Sequence, residues 1–113
     1  KVLLIDLWAT WRGPCRKGLP DTASLAKEGR SEGFEVLAVS NEDPEMIREF
    51  LREEDLQDLP AYIDANDDLW KNYNVSSIPT VIIIDADGNL AEYLVGLRPV
   101  EQLRSAIDKA RRS

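Results

Sequence analysis

Cys15 is the only sulfur nucleophile in this 113-residue chain. One cysteine allows no internal disulfide, no Cys-only zinc site and no intramolecular dithiol. The chain has no histidine either, so Ser-His and Cys-His catalysis, histidine general bases and histidine-ligated metals are excluded. Asp6 is the one ionisable residue inside the apolar run VLLIDLW, and an acid buried there without a partner has a raised pKa. Arg12 lies beside Gly13-Pro14, where a helix is expected to begin. A cation at a helix N-terminus is disfavoured by roughly 0.3–1 kcal/mol at most before salt screening. Arg12 is therefore either a tolerated exposed side chain or one rewarded by an anion or an acidic partner. Asp85-Ala86-Asp87-Gly88 superficially suggests a calcium loop, but the later ligands are lacking, so it reads as a turn and no metal site is expected.

Those residues need elements to hold them. Val2 to Trp8 has the near-continuous apolar character of a strand covered on both faces. Pro14 suits the first position of a helix running to about Glu28, with Leu19, Ala23, Ala26 and Leu25 facing inward. Pro20 deletes one backbone hydrogen bond and should bend that helix, and Gly29 and Gly33 bracket its exit. Phe34 to Ser40 reads as a second buried strand, and Asp43-Pro44 caps and opens a helix to about Glu54. Ala61 to Ile63 is a short extended piece, and Asp67 to Tyr73 a short helix with Leu69, Trp70 and Tyr73 inward. Pro79 precedes the strand Val81 to Ile84, Gly88 supplies a hairpin turn, and Leu90 to Val95 returns as an edge strand. Pro99 opens a last helix with Val100, Leu103, Ala106, Ile107 and Ala110 on one stripe. The order βαβα(α)ββα predicts an α/β fold of three layers. Its mixed sheet has about four strands, the second parallel to the first and the hairpin antiparallel on the other side.

The length is that of one domain, residues 1–113. A net charge of −7 repels phosphate backbones and anionic lipid, which argues against nucleic-acid and membrane-surface roles. No apolar run approaches the ~20 residues of a membrane span. The chain starts at Lys1 without Met, directly on an apolar run, and is expected to be a piece of a longer one.

The stretch IDLWATWRGPCRKGLP resembles the active-site segment of the thioredoxin superfamily, in which a buried strand ends in W-C-G-P-C and the second Cys opens a Pro-kinked helix. Trp11, Gly13, Pro14, Cys15 and Pro20 match; the first Cys does not, its position being Arg12. Ile78-Pro79-Thr80 resembles the family's cis-Pro loop. WATW, the hairpin IDADG and the turn Val39-Ser40-Asn41 before a D-P-opened helix are similar to the TlpA/ResA branch. The likeness covers nearly the whole chain, lacks the N-terminal β-hairpin usual in such proteins, and implies the thioredoxin fold.

The resemblance also implies the chemistry. Family members exchange thiols and disulfides in two steps, an exposed thiolate attacking and the second Cys resolving the mixed disulfide. Here Arg12 holds the attacker's place, and Cys15 keeps the shielded place of the resolving thiol. Burial and Asp6 raise the Cys15 pKa while the helix N-terminus and Arg12 lower it. Burial outweighs the dipole, so Cys15 is expected at or above ~8.5 and slow to react. The matching acid, Asp6, shuttles a proton in the family and should be idle here. No cofactor is implied. The chain is thus expected to be impaired or inactive as a dithiol catalyst, monomeric, with protein or peptide thiols and disulfides as partners, in an extracytoplasmic compartment as is usual for the branch. Two alternatives stay open. One is a non-catalytic module binding an extended peptide with Trp11, Gly13, Ile78, Pro79 and Gly96; the other is a monothiol enzyme using Cys15 with glutathione.

Overall fold

The computed structural model describes residues 1–112. Five strands, β1 (Val2–Leu7), β2 (Phe34–Ser40), β3 (Ala61–Ile63), β4 (Thr80–Ile84) and β5 (Leu90–Val95), form one sheet in the order β3-β2-β1-β4-β5. The helices are α1 (Gly13–Glu32), α2 (Pro44–Glu53), α3 (Asp68–Asn72) and α4 (Val100–Arg112). β1 pairs parallel with β2 from Val2↔Phe34 to Leu7↔Val39, and antiparallel with β4 from Leu3↔Ile84 to Leu7↔Thr80. The apolar run VLLIDLW is thus the central strand, which explains why it does not alternate.

The fifth strand corrects the expectation of about four. Ala61–Ile63 has no periodicity of its own at three residues, but Ala38 N–H donates to Pro60 O and Asp64 N–H to Ser40 O, each at 2.8 Å, clamping it parallel to β2. A strand this short is made by its neighbour.

Strand alternation sends Val2, Leu4 and Asp6 to one face and Leu3, Ile5 and Leu7 to the other. The first face packs Val2, Leu4, Val36, Val81 and Ile83 against Leu25 and Ala26 of α1 and Leu103, Ile107 and Ala110 of α4. The cluster of Trp8, Cys15, Leu19 and Ala38 with Ile47 and Leu51 of α2 continues it. The opposite face, Ile5, Leu7, Val39 and Ile82, is covered by Leu69, Trp70, Tyr73, Val75 and Tyr93. No residue of α3 is fully buried, so the inward side chains expected there reach only half-burial. Its first N–H groups are capped from a distance: Asp64 accepts from Leu69 N–H at 2.9 Å and Trp70 N–H at 3.3 Å, while Asp67 takes a left-handed φ of 60°.

α1 is longer than expected and passes unbroken through the exposed Pro20. Gly33 ends it in the left-handed region, φ 90°, its N–H donating to Gly29 O at 2.8 Å. Gly29 serves another purpose than helix exit. It lies inside α1, where an added Cβ would sit 2.4 Å from Phe34 O, so its missing side chain lets β2 start flush against the helix.

Candidate functional site

The site forms where β1 runs out into α1. Trp8 is fully buried and tilts against Phe50 with ring centroids 5.7 Å apart, anchoring the strand end. The chain then surfaces: Trp11 is 69% exposed, and Arg12, Gly13 and Pro14 are exposed too. Arg12 is the N-cap of α1, in extended conformation, and its side chain caps nothing. Pro14 occupies the first turn, where its missing N–H costs nothing. Nothing lies within 4 Å of the Cβ position at Gly13, so no steric need for glycine exists there.

One turn into the helix the chain dives again, and Cys15 is 2% exposed. Burial pushes its thiol up to about 11. A backbone hydrogen bond from Ala9 opposes this, the Asp6 carboxylate adds to it, Arg12 opposes it and Glu42 adds to it, in that order of size. Asp6 projects from β1 onto the same face. Thr22 of α1 donates its hydroxyl to Asp6 Oδ2 at 2.8 Å, and burial still pushes the carboxyl up to about 6, the hydrogen bond only partly offsetting it. Asp6, Cys15, Thr22 and Pro79 line a crevice of about 20 Å³, room for roughly one water molecule.

The opposite lip is the Ile78–Pro79 segment, whose peptide bond is cis. Pro79 is buried, and its carbonyl accepts from Gly96 N–H at 2.8 Å, Gly96 having φ 93°. Arg12 bridges the two lips: its Nε donates to Ile78 O at 3.0 Å across 66 residues of sequence. Beside this bridge opens a groove of about 450 Å³, walled by Trp11, Arg12, Trp70, Val75 and Ile78 with Ser76 and Ser77. The sequence-predicted residues therefore divide in two. Arg12, Trp11 and Ile78 meet at the groove, whereas Asp6, Cys15 and Pro79 meet in the crevice beneath. Gly96 joins the crevice and not the groove.

Two contributors were not legible beforehand. Glu42 accepts from Thr10 N–H and Thr10 Oγ1, both at 2.8 Å, and from Ser40 Oγ at 2.9 Å, tying the loop before Arg12 to the end of β2. It reads in sequence as one acid of the loop Asn41-Glu42-Asp43-Pro44; nothing in spacing links it to Thr10. Trp70 reads as a core residue, yet it is only half-buried and gives its remaining surface to the groove. Among the described residues, no group of three metal-ligating side chains occurs.

A family model described as thioredoxin-like matches residues 1–90. A thiol-disulfide oxidoreductase ResA of Bacillus cereus is 30% identical over 110 residues, which cover 96% of this chain and 63% of that protein. The chain thus spans less than two thirds of the curated relatives it matches. The crystal structure of the exposed lipoprotein thioredoxin of Streptococcus pneumoniae strain TIGR4 superposes with a TM-score of 0.88 at 26% identity, covering 96% of this chain and 84% of that one. A thiol:disulfide interchange protein of Chlorobium tepidum TLS superposes with a TM-score of 0.83 at 26% identity, covering 97% and 79%. The three-layer architecture is the thioredoxin fold.

Proposed function

The chain belongs to the thioredoxin-like family, with thiol-disulfide oxidoreductases of the ResA type among its relatives, and on that premise we propose that it is an oxidoreductase domain impaired as a dithiol catalyst. The observation that carries this reading is the state of its sulfur: one cysteine, 2% exposed, with its thiol pushed up to about 11. A dithiol cycle needs a thiolate to attack a substrate disulfide, releasing one substrate thiol and forming a mixed disulfide. A second thiolate must then attack that intermediate, releasing the other substrate thiol and leaving the enzyme as a disulfide. Cys15 is neither exposed nor ionised enough to start this cycle, and it has no partner sulfur to finish it. Arg12 stands where the resemblance puts the attacking thiol.

The relatives' thiol–disulfide interchange supports protein or peptide thiols and disulfides as partners. The exposed-lipoprotein setting of the pneumococcal relative supports an extracytoplasmic location. A monothiol cycle at Cys15 would ask for the same exposed thiolate, and burial argues against it.

Reduction of insulin with dithiothreitol as electron donor tests the proposal. The protein should not exceed the dithiothreitol background, and Arg12→Cys should raise the rate well above it. Turnover by the unmodified chain overturns the reading.

The groove between Trp11 and Trp70 favours a second reading, a module that holds an extended peptide along the Ile78–Pro79 edge without exchanging disulfides. A titration of the protein with extended peptides, repeated after Trp11→Ala, tests it.

A further inference from the structure

We propose that the groove selects acidic peptides, with Arg12 as the specificity-determining residue; this rests on the second reading above. The bond to Ile78 O is the one side-chain hydrogen bond Arg12 makes among the described residues, and it leaves most of the guanidinium unused. Arg12 caps no N–H of α1, and as a cation at the N-cap it gains nothing from the helix dipole. Nε donates to Ile78 O, which uses one of the five guanidinium N–H donors. The remaining four have no protein acceptor, and no carboxylate lies within 4.0 Å of Arg12, among the described residues.

The surroundings reinforce that charge. Residues 9–20 carry Arg12, Arg16 and Lys17 and not one acid, on a chain whose net charge is −7. Of these, Arg12 lines the groove, and no acid does, so the groove wall carries a positive charge on an acidic molecule. Trp11, Trp70, Val75 and Ile78 supply apolar walls, and Ser76 and Ser77 add hydroxyls. A carboxylate flanked by apolar side chains fits this lining, and about 450 Å³ suits a few residues of extended chain better than a lone small anion.

The Arg12–Ile78 contact makes the choice selective. A peptide adding along this edge can donate to Ile78 O, where the Arg12 guanidinium takes one of the two lone pairs and stands beside the incoming chain. An uncharged peptide gives the guanidinium no charged acceptor and takes from it part of its water. A peptide with a carboxylate at the right place receives the four unpartnered N–H groups as a charge-assisted pair while Nε stays on Ile78 O.

Nuclear magnetic resonance titration of the 15N-labelled protein tests this, using acetyl-Ala-Val-Glu-Val-Ala-amide and the same peptide with Gln in place of Glu. The indole signals of Trp11 and Trp70 and the Ile78 amide report occupancy. The Glu peptide should bind roughly tenfold more tightly than the Gln peptide, the worth of one charge-assisted hydrogen bond. Arg12→Gln should abolish the preference, bringing the affinity for the Glu peptide down to that for the Gln peptide. Arg12 is exposed, and unchanged shift dispersion verifies that the variant folds. Equal affinities in the unmodified protein, or a preference that survives Arg12→Gln, overturn the proposal while leaving peptide binding intact. Failure of both peptides to bind overturns it together with the second reading.

Discussion

The hydroxyl of Thr22 donates to Asp6 Oδ2 at 2.8 Å, while Oδ1 of the same carboxylate is buried and has no hydrogen-bond partner among the described residues. Half of a charged group is therefore satisfied and half is not. The carboxyl lies 5% exposed and is pushed from 3.8 up to about 6, chiefly by burial. A raised carboxylate pKa means that the folded state holds the proton more tightly than the unfolded one. Stability from this group is thus full below pH 4 and is lost as pH rises through about 6, by up to about 3 kcal/mol for a shift of this size. Asp6→Asn removes the charge and can keep an acceptor for Thr22. Its melting temperature should exceed that of the unmodified protein at pH 8, by about 5 °C or more, with the gap shrinking at pH 4.5. A lower melting temperature at pH 8 would refute this account.

Cys15 should be kinetically quiet. With its thiol near 11 instead of 9.0, the thiolate fraction at pH 7.5 falls by about two powers of ten, before steric shielding is counted. Iodoacetamide should label the native protein at least about 100-fold more slowly than a small-molecule thiol, with a rate that keeps climbing to beyond pH 10. Rapid labelling at neutral pH contradicts the burial argument.

Glu42 should matter more than its loop position suggests. Removing its carboxylate strands Thr10 N–H, Thr10 Oγ1 and Ser40 Oγ, which it holds together. Glu42→Ala is expected to cost about 2 kcal/mol and Glu42→Gln less, because the amide retains one acceptor. Urea unfolding midpoints, with unchanged slope, measure both. If the two substitutions cost the same, the three contacts are not what Glu42 contributes.

Two glycines separate sharply. Gly29→Ala pushes a methyl to 2.4 Å from Phe34 O and 2.8 Å from Phe34 Cδ1, so the helix or β2 must shift, at a cost of about 1–3 kcal/mol. Gly13→Ala meets nothing and reduces unfolded-chain freedom, for a gain of about 0.4–1 kcal/mol. Thermal melts of the pair should move in opposite directions, and a shared direction speaks against the packing explanation.

What was readable in the chain, and what was not, follows from the range of the forces involved. VLLIDLW, Gly13-Pro14, Asp43-Pro44 and the stripe Leu103, Ile107 and Ala110 announce β1, α1, α2 and α4, since their signals are local: periodicity, caps and φ preferences. β3 was half-seen because its pairing comes wholly from β2. The Arg12–Ile78 bond spans 66 residues and the Glu42–Thr10 bonds span 32, and neither leaves a periodic trace in the chain. Asp64 as the cap of α3 was hidden for a milder reason: Asp67 and Asp68 offered equally plausible carboxylates nearer the helix.

Three helices cover one side of the sheet, while the other side has only the five residues of α3 and the segment after it. The molecule therefore has one thickly and one thinly covered flank, and Trp70 stands on the thin one. Backbone amides of residues 64–78 should exchange with deuterium far sooner than those of β1 or β4. Exchange confined to that flank would alter the cleft between Trp11 and Trp70 and leave the packing around Leu25 and Ile107 as it is.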